Sequence, residues 1–165
     1  MAGMERKNES MNDKNRIIEL VNTIKRTGTD KVLEYLDASS YFTRGCYSHH
    51  TGEGGLARHS LEVYDSMCHH AGGLSPESIV VAALFHDLGK TRPSDGRGHG
   101  QRSLDILEEC GLPLTDDERK AIAYHCGKAP AGRLQVVRSL ICCKLLRLLI
   151  RYDMVSTGRW KAGCR

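Results

Sequence analysis

Five side chains stand out because their types bind cations and their spacing turns them inward. His59 has Leu56 three residues before it and Val63 four after it, so it shares a helical face with apolar neighbours. His86 shares a face with Ile79, Ala82 and Ala83, and Asp87 with Val80 and Ala83. His125 follows Ala121 by four residues and Ile122 by three, and Asp153 follows Leu149 by four and Leu146 by seven. Taken singly, an inward histidine is more often a hydrogen-bonded core residue than a ligand. Taken together, a His-Asp pair closing the most apolar helix is costly to bury without compensation. A divalent cation satisfies several such groups at once. Imidazole and carboxylate donors select borderline to hard ions such as Mn, Fe, Ni, Co or Zn. With no thiolate in the set, the pattern does not suit a structural zinc site.

Helices must position these groups. Apolar residues Ile17, Ile18, Leu20, Val21 and Ile24 predict a helix over 15–25, after a polar, frayed stretch over 1–15. A second helix is predicted over 30–36, then a loop over 37–55 rich in Ser, Gly and His. A third spans 56–70 and ends at Gly72-Gly73. Ser75 as N-cap and Pro76 as first helical residue start a fourth that runs to Phe85. That helix is apolar nearly all round, which predicts a central, buried position. A loop over 90–100, a helix over 101–110, and a helix opened by a Thr115/Glu118 capping box and running to about His125 follow. One long helix is expected from Leu134 to Tyr152 or Asp153, with 159–165 as a tail. No segment alternates like a strand, so the expected fold is all-α, a single-domain bundle of about seven helices with the domain spanning 16–158.

Composition agrees with one globular domain. The chain has 165 residues, 40% of them hydrophobic, enough for a real core. The net charge of +4 suits an anionic substrate without demanding a nucleic-acid surface. Seven cysteines are an odd number, with Cys142 and Cys143 adjacent and no Cys-x-x-Cys pair, which argues against a disulfide framework. Cys142 and Cys143 are read as small hydrophobes in a helical run. The polar stretch 1–16 is unlike a secretory signal, and Lys144 and Arg147 interrupt the longest apolar stretch, so no membrane association and a cytoplasmic location are expected.

The string HDLGK, His86 to Lys90, resembles the signature of the HD-domain superfamily of metal-dependent phosphohydrolases. HHTGEGGLARHSLEV, His49 to Val63, resembles the first motif of a bacterial and phage branch. GHGQRS (98–103), AIAYHCG (121–127) and YDMVST (152–157) resemble its later motifs in order. The resemblance implies an HD-domain fold, and His59, His86, Asp87 and Asp153 as ligands of a first metal. It adds His99 and His125 as ligands of a second, with Asp87 bridging. One or two divalent ions (Mn, Fe, Ni, Co, Zn or Mg) are the implied cofactor. Tyr152 stands where the family has alanine, and a bulky side chain there could tilt the helix end that carries Asp153.

The implied activity is hydrolysis of a phosphoester in a nucleotide or oligonucleotide by metal-activated water. Asp87, Lys90 and His49 are the candidate catalytic residues. Lys90, Arg102 and His49 are candidate phosphate contacts, while Lys90 equally suits a helix C-terminal cation. Gly54 and Gly55 are candidates for close approach to substrate or to the metal-bearing helix. His50 reads as a loop histidine, and His69 and His70 as partners of terminal carbonyls. Two alternatives use the same residues: a di-iron oxygenase of the HD type, and a nucleotide-binding module whose metal is structural. A homodimer through apolar residues of the last helix is a further expectation.

Overall fold

A computed structural model describes residues 2–46, 50–96, 98–127 and 132–158, with the backbone alone over 2–10. Among the described residues there are eight α-helices and no strand: α1 (Ala2–Val21), α2 (Thr29–Ala38), α3 (Gly55–His69), α4 (Pro76–Phe85), α5 (His99–Glu109), α6 (Asp116–Tyr124), α7 (Arg133–Cys142) and α8 (Lys144–Ser156). Short 3-10 turns lie at Ser40–Phe42 and Leu88–Thr91. The all-helical class expected from the periodicity is the class observed.

The core falls into two clusters that share α4. Val80, Val81, Leu84 and Phe85 face one cluster, with Ile17 and Val21 of α1, Leu36 of α2 and Ile106 of α5. Ile79, Ala82 and Ala83 face the other, with Val63 and Met67 of α3 and Leu145, Leu146 and Leu149 of α8. A helix between two cores needs apolar residues on every side, which is why α4 shows no polar stripe. Leu84 and Phe85 are wholly removed from solvent, and each such burial contributes about 1.5–3 kcal/mol. α4 packs chiefly on α3, and α8 closes against α3 and α6.

Three elements differ from the expectation. α1 begins at Ala2, not Asn15. Residues 2–14 are largely good helix formers, and a helix anchored by buried Ile17 and Val21 propagates outward at little cost. Ser75 and Pro76 do start α4, but the Ser75 side chain makes no capping hydrogen bond. The long last helix is two. Cys143 leaves helical geometry at φ −102°, ψ 104°, and its sulfur accepts the Leu146 N–H at 3.3 Å, so the thiol caps α8 where a serine would stand. Cys143 is buried at this break and Cys142 is exposed, so of the two only Cys143 is placed as a hydrophobe. Leu134, Val137 and Ile141 of α7 face solvent, while the leucines of α8 fill the core. The tail over 159–165 lies outside the described residues. Among those described, no helix is long and apolar enough to cross a membrane.

The C-terminal end of α4 is the structurally decisive point. Its last carbonyls have no helical partners of their own. The buried Tyr41 hydroxyl donates to the Leu84 carbonyl at 2.9 Å, and the Ser103 hydroxyl donates to that of His86 at 2.8 Å. Ser103 also accepts the Gly89 N–H at 2.7 Å, tying the turn 88–91 to α5. Gly89 is required here, because a Cβ would stand 2.1 Å from the His99 carbonyl oxygen. Gly100 does the same at the next contact: a Cβ there would stand 2.5 Å from the Ile122 carbonyl oxygen, so α5 starts in direct backbone contact with the end of α6. These close approaches bring His86, Asp87, His99 and His125 to one place.

Candidate metal centre

His86 ends α4 in helical geometry, and Asp87 follows at φ −102°, ψ 5°, which turns its carboxylate off the helix axis. Both are buried. The two carboxylate oxygens face different partners. Oδ2 lies 3.6 Å from His59 Nε2 and 3.5 Å from His86 Nε2. Oδ1 lies 3.1 Å from His99 Nε2 and 3.5 Å from His125 Nε2. Asp153 approaches the first set from α8, its Oδ1 3.2 Å from His59 Nε2 and 3.9 Å from His86 Nε2. All six residues singled out as ligands therefore converge around Asp87.

Ring orientation is set from outside the cluster. His86 Nδ1 donates to the Ala83 carbonyl at 2.9 Å and His125 Nδ1 to the Ile122 carbonyl at 2.8 Å. A carbonyl only accepts, so in the neutral rings both Nε2 atoms are bare acceptors. Yet His86 Nε2 faces His59 Nε2 at 3.2 Å, and His125 Nε2 faces His99 Nε2 at 2.9 Å. Ring nitrogens gathered this closely beside two carboxylates are placed so that a cation could stand where they now share protons. His59 Nδ1 is held by the Ser156 hydroxyl at 2.7 Å. Such partners on the far nitrogen are what orient a ligating imidazole.

The electrostatics agree. Burial pushes the Asp87 carboxyl up, but the surrounding imidazoles and the Lys90 ammonium outweigh it and hold it well below the usual carboxylate range. Burial likewise pushes Asp153 up, and hydrogen bonding to His59 wins, bringing it to about 2. Burial, joined by the neighbouring rings, pushes His86 down to about 3 despite Asp87. On the other side of the carboxylate, burial lowers His125 but its hydrogen bond to Asp87 wins and raises it. Two ionised acids and a neutral imidazole at the centre form a donor set that fits divalent cations.

A cavity of about 960 Å³ opens over this centre. Its lining includes the cations Lys90, Arg92 and Arg102 and, from α7 and α8, the apolar Val136, Leu140 and Ile150. Lys90 donates to Asp87 Oδ2. Arg102 is buried in the wall, its Nε on the Gly89 carbonyl at 3.1 Å and one terminal nitrogen on Asp95 at 3.1 Å. Gly54 and Gly55 are buried where the chain from His50 folds onto the first turn of α3, and neither is among the residues lining the cavity. His49 lies outside the described residues. His50 pairs with Glu62 at 2.9 Å, and His70 closes α3 through the Ser66 carbonyl at 3.0 Å.

Tyr152 does not tilt Asp153 away. It is buried in the second core cluster and its ring lies 5.0 Å from that of His70, on a different side of α8 from the centre. The sequence reading does not single out Ser156, Ser103 or Cys126. Ser156 stands three residues after Asp153, a spacing that shares a helical face and so signals a common target.

A family model described as HD domain matches residues 56–154, more than half of the chain. The chain belongs to the HD-domain family. HD domains bind divalent metals and most are metal-dependent hydrolases, and the buried His/Asp groups described above could hold such an ion. Comparison with curated proteins and with solved structures finds no match.

Proposed function

We propose that this HD domain is a metal-dependent phosphohydrolase acting on a phosphoester of a nucleotide or oligonucleotide, with Asp87 bridging two ion subsites. His59, His86 and Asp153 complete the first subsite, and His99 and His125 the second. The observation that carries the reading is the carboxylate of Asp87, each oxygen facing its own pair of imidazoles. Ions bound there would supply Lewis acidity toward water and the phosphoryl oxygens.

The chain's own groups supply the rest. Asp87 and Asp153 bring negative charge to hold cations, and the carbonyls behind His86 and His125 keep those rings aimed at the centre. Lys90 pairs with Asp87. Cations at the two subsites would take over that pairing and free its ammonium to turn to a phosphate oxygen as a point charge. Arg102, clamped by Gly89 and Asp95, adds positive charge to the cavity lining from a fixed position. The apolar side chains of Val136, Leu140 and Ile150 offer a surface for a base or similar flat group.

Elemental analysis of purified protein, followed by a screen of nucleotide and oligonucleotide phosphoesters with Mn, Ni and Fe, tests the proposal. Bound metal and metal-dependent release of phosphate or nucleotide are expected. Metal bound without turnover of any phosphoester would overturn it. Oxygen uptake by an iron-coloured sample would point instead to oxygenase chemistry on the same six residues.

A further inference from the structure

The second subsite has a donor of a kind that the first lacks. Cys126 follows His125 directly, where α6 gives way to a turn closed by the Gly127 N–H on the Tyr124 carbonyl at 2.8 Å. Its sulfur and one ring nitrogen each of His99 and His125 all lie within 4.8 Å of one another. It lines the cavity and is exposed. The described cysteines elsewhere are placed differently. Cys110 and Cys143 are buried, their thiols on the Lys31 and Asp117 carbonyls, and Cys46 is buried in the core. Cys68 and Cys142 are exposed but belong to no ligand cluster among the described residues. Geometry marks the same spot from the buried side: His125 is only 5% exposed, and its ring, fixed by the Ile122 carbonyl, turns Nε2 to within 2.9 Å of His99 Nε2 and 3.5 Å of Asp87 Oδ1.

We propose that Cys126 is a thiolate ligand of the second subsite, making the two halves of the centre chemically unequal. The inference rests on the metal-centre reading above. The first subsite offers two imidazoles and two carboxylates. The second offers two imidazoles and one sulfur that converge, with Asp87 Oδ1 beside both imidazoles, a set suited to a tetrahedral ion. On binding, the S–H bond breaks, a sulfur–metal bond forms, and the proton leaves to solvent. Sulfur shifts preference toward Zn or Co, whereas the all-N/O first subsite accepts Mn or Fe. The centre would then hold two different metals when both kinds are supplied.

Cobalt titration of the metal-free protein tests this, because Co bound to sulfur adds a near-ultraviolet charge-transfer band to the visible bands given by any cobalt site. Wild type should show both, and Cys126→Ser should lose the charge-transfer band while keeping the visible ones. Cobalt bound with no sulfur band in wild type, or with the band retained in Cys126→Ser, overturns Cys126 ligation and leaves the metal centre standing. Failure of wild type to bind cobalt at all overturns the metal centre itself. Should the serine variant misfold by circular dichroism, alkylation of wild type decides. Zn should slow iodoacetamide labelling of the Cys126 peptide and leave Cys68 and Cys142 unchanged, and equal labelling at Cys126 with and without Zn overturns the proposal.

Discussion

Two clusters of buried charge sit on opposite ends of α4, and they are built on opposite rules. At the start of the helix, Glu118 is wholly buried yet fully served. One of its oxygens takes Arg26 at 2.8 Å and the Ser78 hydroxyl at 2.6 Å; the other takes Arg26 at 2.6 Å and the Thr115 N–H at 2.8 Å. Arg26 also reaches the Pro113 carbonyl at 3.0 Å and Glu77 at 3.2 Å. At the far end, His86 and His125 direct their Nε2 atoms at other imidazoles, at 3.2 and 2.9 Å. The first cluster is closed and holds α1's exit against α4 and α6. The second gathers four imidazoles around two carboxylates, with its ring nitrogens aimed inward at one another. Burial of charge alone therefore does not mark a functional site; the direction in which acceptors point does.

Breaking the open cluster has the largest effect. Asp87→Ala removes the carboxylate that faces both proposed subsites, so metal content and hydrolysis should both fall to background, read by elemental analysis and phosphate release. Retention of either separates Asp87 from the centre. Breaking the closed cluster should act on stability instead. Glu118→Ala removes the central partner of the half-buried Arg26 guanidinium, which keeps Glu77 and the Pro113 carbonyl, and should cost about 1–3 kcal/mol in denaturant unfolding, with metal content of the folded protein unchanged.

The same cluster predicts a pH dependence. Burial pushes the Glu118 carboxyl up, but Arg26, Ser78 and the Thr115 amide outweigh it, so its folded pKa lies below the ordinary 4.5. Its contribution is complete above that ordinary value and lost as pH falls through the lower folded one. The stability gap between wild type and Glu118→Gln should therefore close on acidification; a gap that stays constant contradicts the pairing. Smaller still, Ser156→Ala frees the outer nitrogen of His59 and should weaken metal binding about 10–100-fold with little change in unfolding, measured by competition with a chelating dye. Smallest, Thr115→Ala loses the capping oxygen seen at 3.2 Å from the Glu118 N–H and should cost about 1 kcal/mol.

Legibility in the sequence followed the range of the interaction. The all-round apolar α4 and the Thr115/Glu118 cap are local patterns, read within one or three turns. His59, His86, Asp87, His125 and Asp153 were legible because each is a polar side chain on an otherwise apolar face, whereas His99, at the start of α5, was legible only through the resemblance of GHGQRS to a family motif. The break at Cys143 was not, since no Pro or Gly announces it and a thiol does the capping. Arg26 meets Glu118 across 92 residues, so the glutamate reads only as half of a capping box. Cys126 lies hidden for the opposite reason: it is an exposed residue of a turn, with no apolar face to betray a direction.

Gly100 has a consequence for how such a molecule could change over generations. A single added methyl would collide with the end of α6 and pry the His99 ring from its neighbour, while leaving the four donors around His59 where they are. Descendants with a side chain at that position would keep the His59 side of the centre and lose the His99 side, through a residue that itself offers no donor.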